Sequence, residues 1–479
     1  MEGLNCAGSN ACKQYCEALL MQGVAVDFEA GCNVPAMFSV TDKGIDFDPT
    51  HNEAGIQNPD LINTLGGALC GTLIERTALD PERQFVDRLI TQYDTVFSAR
   101  TNMWGAMLGA AREKRTFTDA ELTYYQDQLE QTTEALDTAA ASTSQEARLR
   151  AQAAYDHATL AKYGVLFDEP MIKAVDRLVS NLMDGKPTLG VGDKGIAKTQ
   201  VEKYVARLWD PENEPIIISG HGDMMSNELI GQMEQDKDTR VFAFKEGKLL
   251  KAMREGRPVI LDEINIGDQP VMMRLQDIAL RRPGDKVIIQ ENGLDPIEIQ
   301  PGFVIMATAN EASARYQHRN VLDPAFRDRF DVLQFQYPDV TAKNNPIQEI
   351  PRSLMRLALA GAVDERGVLS SHITATDLEK LVRLAYVTQH LYSIPARDSK
   401  VNLDKGNAST SGFLDEEPVM TDCITPRSVY DTITRCAAGN KPGMTLTSEL
   451  ERLIIGLDQS GSKHNQTHAR SVLALLRTK

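Results

Sequence analysis

One stretch of the chain leaves little freedom in the fold. Apolar Thr188-Leu-Gly-Val191 runs into Gly192-Asp-Lys-Gly195-Ile-Ala197-Lys198-Thr199 and then into a helical run from Gln200 to Leu208. A short apolar segment, a glycine-bearing loop and a helix in that order form a strand–loop–helix unit. In the pattern G-x4-G-K-[ST], backbone N–H groups wrap phosphates at a helix N-terminus, where the peptide dipoles favour an anion. On this reading Gly192, Asp193, Lys194, Gly195, Ile196, Ala197, Lys198 and Thr199 form the cradle. Lys198 would reach the β- and γ-phosphates, and the Thr199 hydroxyl would ligate magnesium. Ala197 stands where glycine is usual, and its methyl group is expected to crowd the loop and weaken nucleotide binding. The plain alternative is a glycine-rich turn ahead of a helix.

A second segment decides between them. Arg257-Pro-Val-Ile-Leu-Asp262-Glu263-Ile-Asn265 reads as a buried strand ending in two acids, 63 residues after Thr199. A carboxylate at the end of a strand beside a phosphate loop can hold magnesium through water, and Glu263 can polarise an attacking water. Taken singly it is an apolar strand with an acidic turn; in this order and spacing the two segments imply nucleotide binding. Phe303-Val-Ile-Met-Ala-Thr-Ala-Asn310 is another strand, ending in an amide that can orient that water. Leu322 to Asp331 carries Arg327 and Arg329, either of which could reach a neighbouring subunit's phosphate, since a guanidinium stabilises a transferring phosphoryl group. Their alternative is a salt-bridge network with Asp328 and Asp331. In Ile424-Thr-Pro-Arg427-Ser, Pro426 suits the first turn of a helix that would aim Arg427 back at the nucleotide.

Around these motifs the chain divides. Strands alternate with helices from about residue 170 to 340, the signature of a parallel sheet with crossover helices. Beyond Pro346 helical patterns return at 353–362, 375–391, 426–438 and 446–456, interrupted by a polar insertion at 396–421. Before residue 165 no catalytic motif is present. Helices are expected at 58–71 and 80–105, and residues 118–162 read as a polar helical hairpin with one thin apolar stripe, Leu122, Tyr125, Leu129 and Leu136. The expected domains are thus 1–165, mainly helical; 170–341, α/β and nucleotide-binding; and 342–479, an all-α lid.

Composition excludes several classes. With 51 Lys+Arg against 67 Asp+Glu in 479 residues, the formal charge is −16, which makes a poor bulk binder of nucleic acid. No apolar run is long enough to span a membrane, and the N-terminus lacks a signal-peptide pattern, so a cytoplasmic protein is expected. Seven cysteines, five of them in the first 70 residues, suit reduced thiols. The Cys6, Cys12, Cys16 spacing lacks the paired knuckles of a strong zinc site.

With these motifs in place, residues 170–479 resemble an AAA+ ATPase of the MoxR/dynein-related, midasin-like branch. The resemblance implies ATP and Mg2+ as ligands, with Lys198 and Thr199 as Walker A, Asp262 and Glu263 as Walker B, and Asn310 as sensor 1. It also implies Arg329 as arginine finger, with Arg327 as a neighbouring candidate, and Arg427 as sensor 2. Leu261-Asp-Glu-Ile-Asn265 is typical of that branch, as is Gln290 to Glu298, read as a β-hairpin turning near Asn292-Gly293 and placed by the family toward a central pore. The implied function is ATP hydrolysis at the subunit interfaces of a homo-oligomeric, hexameric ring that remodels a protein client, with a von Willebrand A domain protein as the favoured partner. The alternatives are a nucleic-acid-associated defence motor of the restriction type and a nucleotide-binding scaffold with little turnover.

Overall fold

A computed structural model describes residues 81–222, 224–235, 240–266, 296–310, 322–337, 352–393 and 423–439. It also covers parts of 271–289 and 445–453 and short strands within 4–47. The expected helix at 58–71, the N-terminal cysteines and the insertion at 396–421 lie outside the described residues. Two antiparallel pairs, Leu4–Asn5 with Asn33–Val34 and Phe38–Thr41 with Gly44–Phe47, are the described elements before residue 81.

Five strands make one parallel sheet: β1 Thr188–Gly192, β2 Ile216–Ser219, β3 Val259–Asp262, β4 Ile305–Ala309 and β5 Asp331–Phe335, in the order β5-β1-β4-β3-β2. All four pairings are parallel. The central strands are near-continuous apolar runs because both faces are covered. Successive side chains point to opposite faces, and the burial follows that rule. Val259, Leu261, Ile305 and Ala307 belong to one apolar cluster, which includes Leu249, Leu250 and Met253 of a helix at Lys248–Glu255. Ile260, Val304 and Met306 belong to the cluster on the other face.

That second cluster draws in helices that precede residue 165. The helices α1 Pro81–Arg112, α2 Asp119–Ala141 and α3 Gln145–Tyr163 precede α4 Glu169–Met183 and α5 Lys198–Trp209. Phe97, Trp104 and Leu108 of α1 and Tyr155 of α3 share one core with Val175 and Leu178 of α4, with Val201 and Tyr204 of α5, and with the sheet. The Trp104 indole N–H donates to Asp176 of α4 at 2.7 Å. The chain divides into one compact unit of residues 1–88 with 142–148 and another of 89–141 with 149–479. Phe97, Trp104 and Leu108 of α1 and Tyr155 of α3 thus help keep water off one face of the sheet. On α2 the expected stripe of Leu122, Tyr125, Leu129 and Leu136 is half-buried.

The C-terminal helices α7 Arg352–Ala362, α8 Ala375–Ser393 and α9 Pro426–Ala437 pack around Leu354, Ala358, Leu381, Val382 and Ile433; the helix at 248–255 is α6. They are strapped to α3. Asp156, fully buried, receives two hydrogen bonds from Arg356 at 2.9 and 2.7 Å, and His157 Nδ1 lies 2.8 Å from the Ala360 carbonyl. Lys286–Ile288 and Pro296–Glu298 pair antiparallel; the first strand lies ahead of the stretch from Gln290 to Glu298 read as a hairpin, whose expected turn near Asn292-Gly293 lies outside the described residues. Among the described residues no helix is long and apolar enough to cross a membrane.

Candidate functional site

The loop between β1 and α5 is bent by its backbone. Gly195 sits at φ +74°, and a Cβ there would come within 2.8 Å of Thr425, just ahead of α9. Ala197, the N-cap of α5, sits at φ +62°, a left-handed conformation in which an L side chain is strained. It supplies no side-chain cap, so the first-turn N–H groups of α5 face the loop, as an anion cradle requires. The departure from glycine thus acts first on the backbone, which the crowding expected from the sequence did not anticipate.

Lys198 is buried and folds back over the loop. Its ammonium donates to the carbonyls of Gly192 at 2.8 Å and Asp193 at 2.5 Å and to Asn310 Oδ1 at 2.9 Å. Asn310, at the end of β4, passes the contact on: its Nδ2 donates to Glu263 Oε1 at 3.0 Å. Thr199 and Thr308 each donate to the same Asp262 oxygen at 2.7 Å. Lys198, Thr199, Asp262, Glu263 and Asn310 therefore meet at the C-terminal ends of β1, β3 and β4, where a parallel sheet presents its ligand crevice. Thr199 and Asp262 offer adjacent hard oxygens, the donor type magnesium takes, with the remaining ligands left to phosphate and water.

Three further residues of this cluster were not singled out from the sequence. Thr308 lies two residues before Asn310, and on a strand i and i+2 share a face; that spacing was the available signal. Asn265 is buried and donates to the Asn310 carbonyl at 2.8 Å. Glu202 follows Lys198 by one helical turn and is fully enclosed. Burial first, then the Asp262 charge, pushes its carboxyl well above the usual carboxylate range, against the pull of Lys198.

The arginines separate. Arg427 stands beside the loop, its Cβ 3.4 Å from the position a Cβ on Gly195 would take. With Ala197, Met171, Leu354 and Tyr430 it lines a mainly apolar cavity of about 490 Å³. Arg327 and Arg329 make no hydrogen bond to the Lys198–Glu263 cluster among the described residues. Nor does Asp331 hold them: it is bonded to Arg177 at 2.5 and 2.9 Å and to Asn181, with Lys186 at 3.6 Å. Arg329 donates to the carbonyl of Ala325 in its own turn, and its Nε has no partner among the described residues.

Residues 188–330 match the family described as AAA domain (dynein-related subfamily). This segment is an AAA domain of that subfamily. The domain is similar to stretches of midasin from Giardia intestinalis (28% identity over 149 residues) and from Dictyostelium discoideum (32% over 154 residues). These alignments take in 31% and 32% of this chain but only 3% and 2% of the relatives. Among solved structures, NtrX from Brucella abortus in complex with ADP resembles the chain with a TM-score of 0.36 and 12% identity, over 74% of this chain and 67% of that one. The AAA domain begins at β1 and ends just before β5, so it contains every residue of the Lys198–Glu263 cluster and Arg329, but not Arg427.

Proposed function

We propose that this chain is a magnesium-dependent ATPase that works at the subunit interfaces of a ring, most simply a hexamer, to remodel a protein partner. The observation that carries the reading is the single hydrogen-bonded chain from Lys198 through Asn310 to Glu263, set beside the Thr199–Asp262 pair. The loop from Gly192 to Thr199 holds the phosphates, and Lys198 exchanges two backbone carbonyls for phosphate oxygens. The apolar cavity beside Ala197 receives the base. Thr199 and Asp262 would hold magnesium, which would supply neutralising charge to the β- and γ-phosphates. Glu263 polarises the attacking water and takes its proton, while Asn310 fixes the Glu263 carboxylate and faces the γ-phosphate.

Asp331 is committed to Arg177, so the Arg329 guanidinium, with Arg327 beside it, is available to a neighbouring subunit's nucleotide. Arg427 acts from the lid side. Exposed Met233 and Phe242 on the antiparallel hairpin of Gly231–Gln235 and Phe242–Glu246 support a polypeptide client, and a von Willebrand A domain protein is the partner we favour. Glu263→Gln should bind ATP without turnover, and Lys198→Ala should lose binding. Mixing Arg329→Ala with Lys198→Ala subunits should restore hydrolysis at mixed interfaces. Normal turnover by Glu263→Gln would sink the chemistry; a co-assembled mixture as idle as either variant would sink the ring.

A further inference from the structure

The two acids that end β3 do not hold their geometry by themselves. Glu263 sits at φ +55°, a left-handed conformation that a long side chain rarely adopts. The residue before it, Asp262, is extended as the last residue of the strand. This switch of backbone sends the two successive carboxylates to different tasks: Asp262 toward Thr199, and Glu263 toward Asn310. Something must keep the switch in place.

The Thr308 hydroxyl touches both halves of it. It accepts the Glu263 backbone N–H at 2.9 Å and donates its own proton to Asp262 Oδ1 at 2.7 Å. Thr308 is 1% exposed, so neither bond competes with water. Both bonds are directional, and the single hydroxyl proton is already given to the carboxylate; the lone pairs are what remain for the amide. On the opposite side, the Gly220 N–H donates to the Asp262 carbonyl at 2.7 Å, and a Cβ on Gly220 would fall 2.4 Å from the Glu263 carbonyl. The acidic corner is thus gripped between the ends of β2 and β4, and Thr308 bonds to both acids' own groups, the carboxylate of one and the amide of the other.

We propose that Thr308 is a positioning residue for hydrolysis: its hydroxyl locks the left-handed turn at Glu263 to the Asp262 carboxylate, so that the metal-holding and water-activating acids move as one unit. The proposal rests on the ATPase reading for its kinetic consequence, but its structural half stands without it. The hydroxyl's proton goes to Asp262 and its lone pair to the Glu263 amide, so it acts through the two acids.

Thr308→Val keeps the branched shape and removes both hydrogen bonds, whereas Thr308→Ser keeps the hydroxyl and removes a methyl. Thr308→Val should lower kcat roughly 10- to 100-fold, the size expected for a displaced catalytic group. The affinity for ADP measured without magnesium should stay unchanged, because the loop that holds the phosphates is intact. Thr308→Ser should recover most of kcat. Independently of turnover, hydrogen exchange in the nucleotide-free full chain should be faster across 259–266 in Thr308→Val than in wild type or Thr308→Ser. If Thr308→Val matches wild type in kcat and exchange, or if Thr308→Ser is as impaired as Thr308→Val, the hydroxyl is not the lock. A wild-type chain that binds ATP but does not hydrolyse it would overturn the ATPase reading instead, and the exchange comparison would still decide the lock.

Discussion

Replacing Ala197 with Gly should stabilise the folded chain while leaving its affinity for nucleotide nearly unchanged. The sequence alone suggests the reverse emphasis, a methyl group crowding phosphates and a tighter complex on its removal. The backbone argues otherwise. Ala197 already sits at φ +62° and ψ +19° as the N-cap of α5, and the left-handed region costs an L residue about 1–2 kcal/mol. Glycine removes that cost but gives back about 0.4–1 kcal/mol through its freer unfolded chain. The net gain is about 1 kcal/mol, which in a unit of this size raises Tm by about 2 °C. Because the bend is held by the protein's own contacts, the Tyr337 hydroxyl on the Lys194 carbonyl and Thr425 against Gly195, the strain opposes folding and not binding. Thermal or denaturant unfolding of the nucleotide-free chain measures the first quantity, and titration calorimetry with ATP and magnesium the second. A Kd tightened by about tenfold, equivalent to about 1.4 kcal/mol, with no change in stability would refute the reasoning and restore the crowding account.

Three other outcomes follow from contacts away from the loop. Asp331 is bonded first to Arg177 and then to Asn181, which holds its carboxyl down at about 2. A depressed acid contributes stability that is complete above its ordinary value near 4 and is lost as pH falls toward 2. Wild type should therefore lose about 1–2 kcal/mol more than Asp331→Asn across that window, Arg177 being half-exposed and screened; parallel acid-unfolding curves would contradict it. Arg356→Met should cost about 3–5 kcal/mol in a urea titration by stranding the fully buried Asp156 carboxylate, and adding Asp156→Leu should recover most of that. A loss under about 1 kcal/mol would show that the pair is not what straps α7 to α3. A chain starting at residue 81 should keep the folded sheet, whereas one starting at 166 should bind a hydrophobic dye and unfold without cooperativity, since it lacks Phe97, Trp104, Leu108 and Tyr155 from the core shared with Ile260 and Met306. A cooperative transition in the shorter chain would refute the shared core.

The sequence made the site legible where the chemistry is carried by residue type at fixed spacing. The central strands β3 and β4 are short apolar runs bounded by a polar change, so Asp262 and Asn310 could be placed at strand ends before any coordinates. What stayed hidden depends on partners distant in the chain. Nothing in the periodicity of residues 81–163 says which apolar face meets the sheet; Trp104 finds Tyr204 with ring centroids 6.1 Å apart, 100 positions later in the sequence. The choice between a finger and a salt bridge at Arg329 was open for the same reason. Asp331 is two residues away, yet it turns to Arg177 on α4, 154 residues upstream.

The hidden part that matters most is backbone strain. Ala197 and Glu263 are two of four non-glycine residues with positive φ among the described residues, and both lie in the site. Neither type favours that conformation, so local propensity argues against it at both positions, and the bend exists because tertiary contacts over-determine it. At Glu263 those contacts are visible: Thr308 on the amide, Asn310 on the carboxylate and Gly220 against the carbonyl. At Ala197 the loop is held from outside, by Thr425 against Gly195 and by the Tyr337 hydroxyl donating to the Lys194 carbonyl at 2.9 Å. The two strained residues therefore differ in what should relax them. Ala197 is bent by contacts reaching to the C-terminal helices, so displacing the lid should loosen the phosphate loop. Glu263 is bent by the ends of neighbouring strands, so it should stay poised whatever the lid does. Hydrogen exchange on Arg356→Met can separate them: faster exchange at 193–199 with no change at 259–266 is the expected pattern, and equal loosening of both would show that the acids and the loop share one support.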